Sequence, residues 1–218
     1  DSVGGRVRSR DVEGFTLDRG FQVMFTAYPA VRRELDLDAL ELRYFKPGAT
    51  IARPGQRATL SDPLRDPAAL TASLFNREVT FADKLRTLKL RQDLTSQSVA
   101  AALSHDDQSI DEFLADRGFS KAFRENFAAP FYGGITLDRS LSTSRAVFEY
   151  TFKMLSEGKT AVPADGMGAI TAQLGERARD AGATIHTDTA VDAVTPDGDG
   201  VTVTTPSETI SADAAIVA

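Results

Sequence analysis

The 218 residues contain no cysteine. Disulfides, thiolate metal sites and cysteine nucleophiles are therefore excluded. Only two histidines are present, His105 and His186, so a multi-histidine metal centre is excluded as well. No stretch approaches the roughly 20 apolar residues that a membrane-spanning helix needs. There is no positive excess either. The formal net charge is −6, which does not suit a nucleic-acid partner, whose phosphates require a basic surface. No Gly-x-Gly-x-x-Gly occurs, and no acidic residue follows at the spacing that would hold a ribose.

What is present suits a globular protein of one or two domains. Hydrophobic residues make up 42% and charged residues 26%, enough to build and solvate a core. Residues 1–27 read as loop and extended structure, with Phe15, Leu17, Phe21 and Val23 at the even spacing of a half-buried strand. Pro29 suits the first position of a short helix running to Leu37. Leu42–Phe45 and Thr50–Arg53 read as strands, and Pro54-Gly55 turns the second one back onto Arg57–Leu60. Thr80-Phe81-Ala82-Asp83 has capping-box spacing ahead of a helix to Leu94. Ser109-Ile110-Asp111-Glu112 opens another helix, which Gly118 stops. Further helices are expected at Lys121–Ala128 and at Thr143–Ser156, the latter ending near Gly158. Gly166 opens a helix to about Asp180, with Gly182 as its stop. Strands are expected at Ala183–His186, Ala190–Thr195, Gly200–Thr205, Thr209-Ile210 and Ala214–Ala218.

The chain opens on Val3-Gly4-Gly5-Arg6. Paired glycines let a backbone approach a ligand closely, and the arginine beside them offers a fork of donors suited to phosphate. Leu17-Asp18-Arg19-Gly20-Phe21-Gln22, Pro130-Phe131-Tyr132-Gly133-Gly134-Ile135 with Leu141-Ser142-Thr143-Ser144, Pro163–Ile170 and Ala212–Ala218 follow in order. Together these segments resemble the flavin-dependent amine oxidase, phytoene desaturase and protoporphyrinogen oxidase-like oxidoreductases, and the resemblance runs from end to end.

The resemblance implies a mixed α/β protein: part of an FAD-binding Rossmann-like domain with a β-meander, interrupted by a helical and antiparallel-sheet substrate domain. The expected partition is 1–27 and 159–218 for the cofactor domain and 28–158 for the substrate domain. From the same resemblance, the family's first βαβ unit and last cofactor segment are expected to be missing from these residues. The 218 residues alone are then expected to hold little FAD.

By the same resemblance, Gly4, Gly5 and Arg6 lie on the FAD diphosphate and ribityl chain, Arg19 and Gly20 pass the flavin ring, and Val191 holds the adenine edge through its backbone. Gln22 hydrogen-bonds substrate or the flavin ring, and Phe21 contacts substrate, with core packing an equal reading of Phe21. Gly166 and Met167 border the substrate cavity, against the plainer reading of a helix start that needs glycine. Arg8 reads equally as a surface ion pair or a cofactor contact, and Asp18 as structural. The implied activity is oxidation of an amine, polyene or porphyrinogen-like small molecule by hydride transfer to flavin. A non-catalytic binding module on the same fold is the competing reading.

Lys84, Arg86, Lys89 and Arg91 make one helix basic. A solvated face on a core-packed helix is the preferred reading, and membrane-surface docking is the second. The expected location is the cytoplasm, with or without that peripheral contact.

Overall fold

Two residues of positive φ turn the chain back on itself near its start. Glu13 and Gly14 have φ of 52° and 84°, the hand that suits a two-residue hairpin loop between twisted strands. They join β1 (Arg8–Val12) to β2 (Phe15–Arg19), antiparallel, with Ser9 opposite Asp18. The computed structural model describes residues 2–20, 22–61 and 79–218. The chain divides into two compact units, Gln22–Ala164 and the pair of segments Asp1–Phe21 and Asp165–Ala218.

In the Gln22–Ala164 unit, β3 (Met24–Phe25) is followed by α1 (Pro29–Glu34), with Pro29 in the first turn as expected. Next come β4 (Arg43–Tyr44) and the hairpin of β5 (Gly48–Arg53) and β6 (Gln56–Ser61), turned at Pro54-Gly55. Helices α2 (Phe81–Thr95), α3 (Val99–Leu103) and α4 (Ile110–Asp116) come next. Both expected capping boxes form, Thr80 with Asp83 and Ser109 with Glu112. Gly118, at φ +79°, follows the end of α4.

The segment after it departs from expectation. The helix does not stop at Ala128. α5 (Lys121–Phe123) runs through a π-helical turn at Arg124–Ala128 into α6 (Ala129–Thr136). Pro130 has no N–H to give the carbonyl four residues back. The turn before it widens instead, and the Ala129 N–H reaches the Arg124 carbonyl. α7 (Arg145–Glu157) ends at Gly158 as expected, and β7 (Thr160–Val162) then lies between β3 and β4 in a three-stranded antiparallel sheet.

The core of this unit is aromatic and helical. Leu90 and Leu94 of α2, Phe113 and Leu114 of α4, Phe123, Tyr132 and Phe148 are all buried together. Phe113 packs on Phe148, and Phe148 packs on Tyr132 at 4.5 Å between ring centroids. The Arg117 and Arg145 guanidinium groups each lie 4.8 Å from the Phe113 ring centre. Burial pushes the Tyr132 phenol up. The Tyr132 hydroxyl is buried without a hydrogen-bond partner among the described residues, whereas the buried charged groups Lys153 and Glu149 are paired. The Lys153 ammonium donates to the Leu94 carbonyl at 2.9 Å and to Glu157. Buried Glu149 accepts from Arg145 at 3.2 Å.

In the other unit, α8 (Gly168–Asp180) is followed by the meander β8 (Ala193–Asp197), β9 (Gly200–Thr204) and β10 (Thr209–Ala212). Two expected strands are absent: neither Ala183–His186 nor Ala214–Ala218 is paired, and both run as irregular chain. Ile216 and Val217 are almost fully exposed. A strand exists only through its neighbours' backbone groups, and among the described residues no strand lies beside either segment. Phe15 and Leu17 are exposed as well, not half-buried. Among the described residues no helix is long and apolar enough to cross a membrane.

Asp83 is the most demanding residue of the helical core. Its carboxylate is fully buried. It accepts from the Thr80 N–H and hydroxyl at 3.0 and 2.6 Å and from the Ser120 N–H and hydroxyl at 2.8 and 2.6 Å. Burial raises this carboxyl. The hydrogen bonds from Ser120 and Thr80 together outweigh it, so the group titrates below its ordinary value. A carboxyl lowered in the folded state contributes stability above its unfolded value of about 4 and loses that contribution as pH falls through the folded value. Asp83→Asn should therefore cost about 2–3 kcal/mol at neutral pH. In urea unfolding, the gap from wild type should narrow on acidification below about pH 4. A gap that is constant with pH would show that the charge contributes nothing.

Candidate functional site

The glycines at the start of the chain form a turn in which the Val7 N–H donates to the Gly4 carbonyl at 2.8 Å. Gly4 and Gly5 have φ of 105° and 51°, a conformation that other residues adopt only at a cost. The two glycines face different surroundings. A Cβ on Gly4 would lie 2.5 Å from the Thr171 hydroxyl on α8, whereas a Cβ on Gly5 would meet nothing within 4 Å. Gly4 therefore packs the turn onto the helix, and Gly5 leaves its backbone open. Arg6 beside it is exposed. Gly20 completes the cluster, since a Cβ there would come 3.1 Å from the Arg6 carbonyl. Arg19 lies opposite Arg8 in the hairpin. The Arg8 Nε is buried and has no hydrogen-bond partner among the described residues.

The hairpin is fixed to the start of α8 by two side chains. The Met167 N–H donates to the Asp18 carboxylate at 2.8 Å, and the Gly168 N–H to the Ser9 hydroxyl at 2.8 Å. Ser9 in turn donates to Asp18 at 2.5 Å. The Thr171 hydroxyl reaches the Val7 carbonyl at 3.2 Å. Helix N-termini favour anions, and here the anion comes from within the chain. The Met167 side chain is buried. Gly166, at φ +82°, leaves no room for a Cβ, which would strike the Ser9 hydroxyl and lie 2.7 Å from Asp18.

The structure thus brings together Gly4, Gly5, Arg6, Arg19, Gly20, Gly166 and Met167. Val191 lies apart from them in sequence, exposed beside the meander, where the Asp192 N–H donates to the Thr204 carbonyl. Gln22 is exposed and belongs to the Gln22–Ala164 unit, and Phe21 lies outside the described residues. Ser9 was not singled out from the sequence, and Asp18 was read there as structural. The hairpin register that pairs them is the signal that finds them. The Gln22–Ala164 unit holds a groove of about 400 Å³, lined by Ile51, Glu125, Phe127, Pro130, Phe131 and Arg139 among others. Among the described residues no group of three or more His, Asp or Glu could hold a metal ion.

The family described as flavin-containing amine oxidoreductase matches residues 1–218, the whole of the chain. The chain belongs to that family. The flavin amine oxidoreductase fold recurs in solved structures at low identity. Putrescine oxidase bound to putrescine is 19% identical with a TM-score of 0.62, over 98% of this chain and 49% of that one. A CLA-producing fatty acid isomerase from P. acnes is 20% identical with a TM-score of 0.62, over 98% and 49%. Cyclohexylamine oxidase from Brevibacterium oxydans IH-35A is 19% identical with a TM-score of 0.53, again over 98% and 49%. The chain spans about half the length of these structures. No curated protein sequence matches it significantly.

The turn fits an anionic part of the family's flavin nucleotide on three counts. Gly5 offers an open backbone at positive φ, Arg6 is exposed, and the buried Arg8 Nε has a donor to spare among the described residues.

The two kinds of glycine generate a paired expectation. Gly166→Ala meets both backbone strain and collision, and should cost about 3 kcal/mol or more of stability. Gly5→Ala meets strain alone and should cost about 1–2 kcal/mol. Thermal unfolding of the two variants measures the difference. Equal losses would mean that the packing of Gly166 against Ser9 and Asp18 contributes nothing.

Proposed function

We propose that this chain forms part of an FAD-dependent oxidoreductase that oxidises an amine, a polyene or a porphyrinogen-like small molecule. The observation that carries the proposal is the Gly4-Gly5-Arg6 turn, with its open glycine backbone and exposed guanidinium, in a chain that matches a flavin family throughout. The bound flavin would supply the hydride acceptor. Gly5 allows the diphosphate close to the backbone, Gly4 seats the turn against Thr171, and Arg6 donates to the diphosphate. Arg19 and Gly20 follow along the ribityl and ring side, and the Val191 backbone meets the adenine edge. Gln22 is assigned to the substrate, whereas Gly166 and Met167, packed and hydrogen-bonded against Ser9 and Asp18, fix the hairpin to α8. On this reading 1–27 and 159–218 serve the cofactor and 28–158 serves the substrate. An amine is supported by the putrescine oxidase and cyclohexylamine oxidase folds. The acidic net charge of the chain favours a small-molecule ligand over nucleic acid.

The full-length protein should purify with flavin absorption. Arg6→Ala should weaken its FAD affinity by about 1.5–3 kcal/mol, the loss of a charged hydrogen bond, or roughly ten- to a hundredfold. Equilibrium titration followed by flavin fluorescence reads the change. Unchanged affinity in a folded variant would reduce Arg6 to a surface residue. Anaerobic bleaching of the flavin by an amine, and not by a polyene, would settle the substrate class.

A further inference from the structure

The register of the first hairpin sets two arginines against each other. Arg8 on β1 lies directly opposite Arg19 on β2. Cross-strand partners project from the same face of a sheet, and like charges in that position repel. The next pair in register, Ser9 and Asp18, projects from the other face. There Asp18 accepts from Ser9 and from the Met167 N–H. The acid next to Arg19 in sequence is therefore engaged elsewhere. Among the described residues no ion pair joins Arg8 or Arg19 to a carboxylate.

Arg8 is the more demanding member of the pair. Arg19 is exposed, whereas Arg8 is half-buried, and its Nε is buried without a hydrogen-bond partner among the described residues. A buried donor without an acceptor costs free energy, more so on a charged group. Folding thus gathers that cost and the repulsion from Arg19 at one point. The point adjoins the open turn, since Gly20, next to Arg19, lies against the Arg6 carbonyl. The Arg6 guanidinium is exposed two residues before Arg8.

We propose that Arg8 and Arg19 together clamp a phosphate group, with the Arg8 Nε among the donors. The source of the phosphate rests on the flavin reading, in which it belongs to the diphosphate of the nucleotide, and Arg19 marks the phosphate end of the ribityl chain. The chemistry of the pair selects phosphate over carboxylate. A carboxylate is planar and is filled by one guanidinium fork, whereas phosphate oxygens form a tetrahedron that accepts from two forks at once. A bound dianion also offsets the repulsion between the two arginines, which a neutral ligand leaves in place.

Pyrophosphate, a diphosphate without flavin, tests the clamp in the full-length protein freed of flavin. At constant ionic strength, about 5 mM pyrophosphate should raise the wild-type melting temperature by about 2 °C or more. Arg8→Gln and Arg19→Gln should each lose this response. Arg10→Gln, two residues further along the same face, should keep it. Without ligand, Arg8→Gln should melt no lower than wild type, because it removes one of two opposed like charges. In equilibrium titration Arg8→Gln should bind FAD about tenfold or more weakly, and riboflavin, which has no phosphate, as wild type does. A lower melting temperature of unliganded Arg8→Gln would make Arg8 a structural residue and overturn the proposal. So would a wild type indifferent to pyrophosphate, a response that survives in Arg8→Gln or disappears equally in Arg10→Gln, or a loss of FAD affinity that riboflavin shares. A protein that answers pyrophosphate through Arg8 and binds no FAD would sustain the phosphate clamp and refute the flavin reading.

Discussion

The first amides of a helix must find acceptors, and at α8 the chain supplies them from more than 140 residues away in sequence, with Asp18 on Met167 and Ser9 on Gly168. The rest of the candidate site follows from that constraint. Ser9 and Asp18 can act together because the Glu13-Gly14 turn places them opposite one another. Gly166 must be glycine because both side chains occupy the space of its Cβ. With the hairpin held on α8, Gly4 seats the preceding turn against Thr171, and Gly5 and Arg6 are left exposed. An apolar contact would hold these segments less specifically, since burial has no direction and a charged hydrogen bond does.

A comparable device organises the helical unit. Asp83 caps its own helix through Thr80 and at the same time accepts from both donors of Ser120, which caps α5. One carboxylate thereby links two helix starts through a hydrogen bond between residues 37 apart in sequence. Around it lies the aromatic core, whose buried charged groups Lys153 and Glu149 are paired with Glu157 and Arg145. The π-helical turn before Pro130 lets the helix continue past a residue that would otherwise end it. It thereby brings Phe127 and Phe131 to the same groove, their rings parallel to within 7°.

Membership of the flavin amine oxidoreductase family gives these features a common context without making them interchangeable. The glycine–arginine turn is a place where a nucleotide's phosphates could be received. The start of α8, read from sequence as bordering the substrate cavity, has its first amides already satisfied by Asp18 and Ser9. The physical difference is the presence of an internal acceptor. A helix terminus attracts an anion only while its amides lack one.

The sequence by itself determined the features whose causes are local. The capping boxes at Thr80 and Ser109, the stops at Gly118 and Gly158, the Pro54-Gly55 hairpin and the Gly-Gly-Arg turn each depend on residues within a few positions of one another. Tertiary structure alone decided the rest. Ala183–His186 and Ala214–Ala218 have strand-like composition, yet a strand requires a neighbour that composition cannot supply. Phe15 and Leu17 alternate like a half-buried strand, but no core is present on their side. Leu85 and Leu90 are the same residue on the same helix, and only the packing of α4 and α7 against one face separates exposed from buried. Asp18 and Met167 lie 149 residues apart, and no local pattern encodes that hydrogen bond, because it exists only once the folded chain has brought the hairpin to the helix.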